Sequence, residues 1–139
     1  MKYNYYIILL LSLFLLPSCT PSTHQVLASS ESQVQLRAIQ SRSFDTVDRE
    51  KTLRTVIATL QDLGFVVDKA DGTLGTVSAT KLDRYALRMT VTVRPRGETQ
   101  MLVRANAQYN IHAVEDPEPY QQFFDSLAQA MFLSAHHVD

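Results

Sequence analysis

The feature that most constrains the fold is a strict alternation of apolar and polar residues over two neighbouring segments. Between Tyr85 and Arg94, the residues Tyr85, Leu87, Met89, Val91 and Val93 alternate with Ala86, Arg88, Thr90, Thr92 and Arg94. Between Met101 and Ile111, the residues Met101, Val103, Ala105, Ala107, Tyr109 and Ile111 alternate with Arg104, Asn106, Gln108 and Asn110; Leu102 alone breaks the polar side. Successive side chains of a strand point to opposite faces. A period of two over this length therefore predicts two antiparallel strands with one buried and one wet face. Arg96-Gly97-Glu98 supplies the hairpin turn between them.

The flanking segments complete the pattern. Val34 to Phe44 reads as a first strand, with Val34, Leu36 and Ala38 on one face and a slip at Ile39 that suggests a bulge. Thr46 or Asp48 caps a helix that runs to Leu63. Its apolar stripe is Leu53, Val56, Ile57, Leu60 and Leu63, and Gly64 ends it. Phe65 to Asp68 is a short strand, Asp71-Gly72 a turn, and Leu74 to Lys81 the next strand. Asp116-Pro117 opens a second helix, with the stripe Tyr120, Phe123, Phe124, Leu127 and Met131. The order is β-α-β-β-β-β-α. It predicts an α+β domain, an antiparallel sheet of about five strands with two helices packed on one face, because only the helix stripes can cover the buried strand face.

The N-terminus carries a different signal. Lys2 precedes an uncharged apolar run, Tyr5 to Leu16, which is shorter than the roughly 20 residues of a transmembrane helix and has the layout of a secretory signal. The run closes on Leu16-Pro17-Ser18-Cys19, and Cys19 is the only cysteine. This segment resembles the lipobox of bacterial lipoproteins, Pro17 being its departure from the commonest pattern. The resemblance implies cleavage before Cys19 and diacylation of its thiol. Residues 1–18 are then a signal peptide, 19–33 the lipidated cysteine and a flexible tether rich in Ser, Thr and Gln, and 34–139 a single periplasmic α+β domain. Each buried methylene of the acyl chains contributes about 0.8 kcal/mol, so two or three chains hold the protein on a membrane permanently. With its thiol acylated, the chain has no disulfide. Thr20, rather than Asp, directly after the cysteine implies the outer membrane, periplasmic side; the inner membrane, periplasmic side, is the alternative.

The segment from Asp48 to Thr80, a helix, Leu-Gly-Phe, a short strand, a glycine and another strand, resembles the helix-grip modules of outer-membrane assembly lipoproteins. Leu60 to Phe65 (Leu-Gln-Asp-Leu-Gly-Phe) and Tyr120 to Phe124 (Tyr-Gln-x-Phe-Phe) resemble segments of small envelope lipoproteins. Both likenesses speak to fold and setting, not to chemistry.

Composition narrows the function classes. A formal net charge of −1 argues against nucleic acid. His24, His112, His136 and His137 show no zinc-ligand spacing, and Glu115, Asp116 and Glu118 lack a calcium loop and suit a helix N-terminus instead. No Gly-x-Ser-x-Gly elbow or phosphate loop occurs, and the one thiol is expected to carry lipid. No catalysis, metal or cofactor is expected.

The candidate contact surface is the polar strand face, with Arg88, Arg94, Arg104, Asn106 and Gln108 as binding residues; Arg and amide groups suit carboxylates, phosphates or a partner's backbone. These readings converge on a membrane-anchored, non-catalytic interaction or scaffold module with an envelope protein as partner. The alternative is a periplasmic binder of a small apolar or lipidic ligand, held between sheet and helix where Ala58, Ala105 and Ala107 leave room.

Overall fold

Alternation in the sequence becomes the pleat of a sheet. A computed structural model describes residues 32–136. A helix over 32–39 (α1) is followed by β1 (Ser41–Phe44), α2 (Arg49–Asp62), β2 (Val66–Asp71), β3 (Thr76–Asp83), β4 (Tyr85–Arg96), β5 (Gln100–Tyr109), β6 (His112–Ala113) and α3 (Glu118–His136). The strands lie side by side in the order β1-β5-β4-β3-β2, every pair antiparallel, and β6 pairs with the far end of β5. The fold is α+β, with α2 and α3 on one sheet face.

The inner face consists of the apolar members of the alternation. Val77 and Ala79 of β3, Met89, Val91 and Val93 of β4, and Met101, Val103, Ala105 and Ala107 of β5 are all buried. They meet Leu53, Val56 and Leu60 of α2 and Tyr120, Phe123, Phe124 and Leu127 of α3 in one core. Fully burying side chains of this size contributes about 1.5–3 kcal/mol each.

Helix α2 is held at both ends. Asp48 Oδ1 accepts from the Lys51 N–H at 2.8 Å, the capping bond expected of this residue. At the other end Gly64 has φ +85°, Phe65 N–H donates to Leu60 O and Gly64 N–H to Gln61 O, both at 2.9 Å. This is a left-handed closure that a Cβ would strain. The buried face is broader than its apolar stripe. Thr52, Thr55 and Thr59 are buried, whereas Ile57 and Leu63 are only half-buried. Each threonine hydroxyl donates to the helix's own backbone, at Asp48 O, Lys51 O and Thr55 O (2.7, 2.9 and 2.8 Å), which frees its methyl for the core.

The segment from Val34 to Phe44 corrects the expectation of one long strand. Residues 32–39 are helical, and only Ser41–Phe44 joins the sheet. Leu36 and Ile39, three apart, are the half-buried positions, while Val34 is exposed. The three alternating residues thus lie on a short helix, and the slip at Ile39 marked its inward face. The bulge falls in β2 instead, between Val67 and Lys69. The outer edge of β5 is closed piecewise. Ser41–Phe44 pairs with Met101–Arg104, and Gln40 O accepts from Ala105 N–H at 2.9 Å. The Tyr120 hydroxyl then accepts from Ala107 N–H at 3.2 Å, and β6 covers Gln108 and Tyr109.

Candidate functional site

The outer face of the sheet is open, and the register fixes what it displays. Arg88 lies opposite Gln108, Thr90 opposite Asn106, Thr92 opposite Arg104, Arg94 opposite Leu102 and Arg96 opposite Gln100. Strand β3 extends the rows with Thr76, Ser78 and Thr80, and β1 adds Ser41 and Ser43. The five cross-strand pairs of the hairpin contain four arginines and no acid. An opposite-charge pair at such a position contributes about 0.2–1 kcal/mol, so this face forgoes stability that a carboxylate would supply.

Hydroxyls steady part of the surface. Arg104 Nε donates to Ser41 Oγ at 3.1 Å, which orients the guanidinium and leaves its two terminal nitrogens without a partner among the described residues. Arg96 Nη1 donates to Ser43 Oγ. The Ser78 and Thr90 hydroxyls share a hydrogen bond of 3.2 Å. The ion pairs Arg42–Asp125 and Arg54–Glu50 both lie off this face.

Thr92, Arg94, Leu102, Arg104 and Asn106 line an open hollow of about 270 Å³. Arg94 and Arg104 are diagonal neighbours across the strand pair, a separation of roughly 7–8 Å that their side chains span. The structure thus gathers three of the five sequence-predicted residues, Arg94, Arg104 and Asn106, around one hollow. Arg88 and Gln108 form a separate cross-strand pair closer to the β3–β4 turn. Leu102, which looked like a break in the pattern, is half-buried in the wall of the hollow. Arg96, expected in the hairpin turn, is instead the last residue of β4 and continues the polar alternation. Carboxylates do reach the rim of the face. Thr80 Oγ1 donates to Asp68 Oδ2 and Gln100 Nε2 to Asp45 Oδ1, both at 2.6 Å, so the acid-free area is the body of the hairpin, Arg88–Arg94 with Leu102–Gln108, rather than its turn end or the whole sheet.

The remaining candidates are placed as follows. Tyr120, Phe123 and Phe124 are core residues. Asp116 Oδ1 accepts from Glu118 N–H at 2.9 Å in the turn that leads into α3; the helix starts at Glu118 and Pro117 O accepts from Gln121 N–H, so Pro117 rather than Asp116 holds the cap position. Ala105 and Ala107 are packed in the core with the α3 aromatics, and Ala58 is exposed, so it leaves no room under the sheet. His112 is exposed on β6. Cys19, His24 and His137 lie outside the described residues. Among the described residues no three His, Cys, Asp or Glu side chains converge as metal ligands, and no helix is long and apolar enough to cross a membrane. What the arrangement offers chemically is recognition: two guanidinium forks, an amide and a hydroxyl around a hollow with one apolar wall. The sequence matches no protein-family model, and no curated protein matches it significantly.

Proposed function

We propose that this protein is a non-catalytic lipoprotein, held on a membrane through Cys19, whose domain binds an envelope protein through its open sheet face. The observation that carries this reading is the group of arginines on β4 and β5, two of them (Arg94 and Arg104) set around a hollow, with no carboxylate opposite any of them. Guanidinium forks of this kind suit carboxylates or backbone carbonyls of a partner. The setting is envelope assembly or a multi-protein envelope complex, on the periplasmic side of the outer membrane, with the inner membrane as the runner-up.

The test is charge reversal. Arg88→Glu with Arg104→Glu abolishes co-purification of a crosslinked partner and leaves the unfolding midpoint close to wild type, since exposed substitutions shift stability by about 0.5 kcal/mol or less. An unchanged set of co-purifying proteins would remove the sheet face from consideration. For the anchor, Cys19→Ala releases the protein from the membrane fraction or leaves it unprocessed.

A second reading, a binder of a small apolar or lipidic molecule, is favoured by one observation. Phe44, Ala128, Met131 and Phe132, with Asp45, Thr46 and Lys51, line a groove of about 390 Å³ at the end of the domain away from the hairpin turns of β3–β4 and β5–β6. Native mass spectrometry of the protein distinguishes the two, since a carrier retains a bound mass and an interaction module does not.

A further inference from the structure

The end of the sheet opposite that groove carries an apolar surface that neither core nor sheet face uses. Two hairpin turns lie there side by side. Each contains a residue in the left-handed region, Arg84 (φ 52°) between β3 and β4 and Asn110 (φ 53°) between β5 and β6. Asn110 N–H donates to Ala86 O at 3.2 Å and holds the second turn beside the first. Leu82 and Ile111 are 83 % and 85 % exposed at these tips, and Tyr85 is 66 % exposed. The Tyr85 and Tyr109 rings meet edge to face, their centroids 6.4 Å apart. Tyrosine with aliphatic neighbours is the composition of a surface that is apolar at its end and wet at its flank.

The route of the chain selects the occupant. Ser32 shares a hollow with Glu115 and Pro117, just past β6, so the chain enters the domain beside these tips. Only 12 residues, 20–31, separate Cys19 from Ser32, a stretch that spans at most about 45 Å when fully extended. A lipid on Cys19 therefore keeps this end within reach of the bilayer. The tips also protrude, which suits a fluid interface better than a fitted protein socket. Arg84, exposed, is the apex of the first turn, and Lys81, Asp116 and Glu118 share a hollow with Tyr109, so charges of both signs border the patch; Leu82, Tyr85 and Ile111 supply the apolar contact, and the Arg84 guanidinium suits the headgroup layer.

We propose that the paired tips, Leu82-Tyr85 and Tyr109-Ile111, dip into the interface of the membrane that holds the anchor, and so orient the domain with its arginine face exposed to partners. This orientation rests on the reading of Cys19 as the lipid-bearing residue. The chain has no tryptophan, so a single introduced one reports its own surroundings. Full-length protein carrying Ile111→Trp, extracted from membranes and reconstituted in vesicles of phosphatidylethanolamine and phosphatidylglycerol, is expected to emit at shorter wavelength than in detergent-free buffer and to be quenched by brominated acyl chains. Val47→Trp is the control, because Val47 is 65 % exposed at the opposite end; it is expected to show neither effect. An unquenched I111W chain in floating vesicles, equal quenching of both chains, or quenching of V47W alone would overturn the proposal. So would a blue shift of I111W that grows with protein concentration before lipid is added, which would make a second copy the occupant. Failure of the anchor reading has its own signature: chains with Cys19→Ala are cleaved to the normal mature size and sediment with membranes as before, whatever the tip residues do.

Discussion

The hydroxyl of Tyr120 donates to the carbonyl of Val114 at 2.7 Å, inside a core where the tyrosine side chain has no exposed surface. The same oxygen accepts from Ala107 N–H at 3.2 Å and from Gln40 Nε2 at 3.3 Å. One side-chain atom thus stands in for a missing strand at the edge of β5. Tyr120→Phe keeps the ring and removes the oxygen. It should cost about 1–3 kcal/mol in urea unfolding, because the Ala107 donor and Val114 acceptor lose a partner where water does not reach. A change below about 0.5 kcal/mol would mean that the edge closes without it.

Gly75 is the most tightly enclosed of the four glycines. It has φ +69°, and a Cβ there would lie 2.6 Å from both Arg49 Nη2 and Val93 O. The guanidinium crosses the turn to donate to Thr73 O at 2.8 Å, and Val93 N–H donates to Gly75 O at 2.8 Å. Gly75→Ala should therefore destabilise by at least about 2 kcal/mol, from the left-handed conformation and the clash together. Gly72→Ala, with nothing within 4 Å, should change stability by less than about 1 kcal/mol. Thermal unfolding of the two variants side by side is the measurement, and equal midpoints would contradict it.

The buried threonines of α2 make a third comparison. Thr59 is 2 % exposed, and its hydroxyl serves only its own helix at Thr55 O. Thr59→Val keeps the shape and strands no partner, so it should be neutral or stabilising by up to about 1 kcal/mol. Thr59→Ser keeps the hydroxyl and loses the methyl, and should cost about 0.5–1.5 kcal/mol. Chemical denaturation giving the reverse order would show that the hydroxyl, rather than the methyl, holds the helix in place.

Gln108 faces Arg88 across the strand pair, both exposed. Gln108→Glu adds a carboxylate with almost no change of shape. It should raise stability by about 0.2–1 kcal/mol at low salt and weaken partner capture. A variant that is more stable and captures its partner normally would locate binding elsewhere.

Much of this architecture could be read before any coordinates. The alternation over Met89–Val93 and Val103–Ala107 forces a pleat with one dry face, and Asp48 and Gly64 bracket a helix by the chemistry of their ends. What escaped reading was decided by neighbours distant in sequence. Residues 34–38 alternate over too few positions to fix a strand; they are helical, with Leu36 and Ile39, three apart, as the half-buried positions. Thr52, Thr55 and Thr59 look polar on paper; their burial depends on back-bonds that only a formed helix offers. Of the site, the strand parity of Arg88, Arg94, Arg104, Asn106 and Gln108 was legible. The hollow that gathers three of them was not, because it depends on Ser41 turning Arg104 and on Leu102 filling one wall.

The closing of β5 draws on both ends of the domain, since Gln40 and Tyr120 meet at a separation of 80 positions. A chain that stops short of α3 would show an open strand edge beside an uncovered apolar sheet, the two features that invite other chains to pair with it. Completeness of the polypeptide is thus registered at a single seam. An unfinished or clipped copy is marked as such by the same strand that the finished one hides.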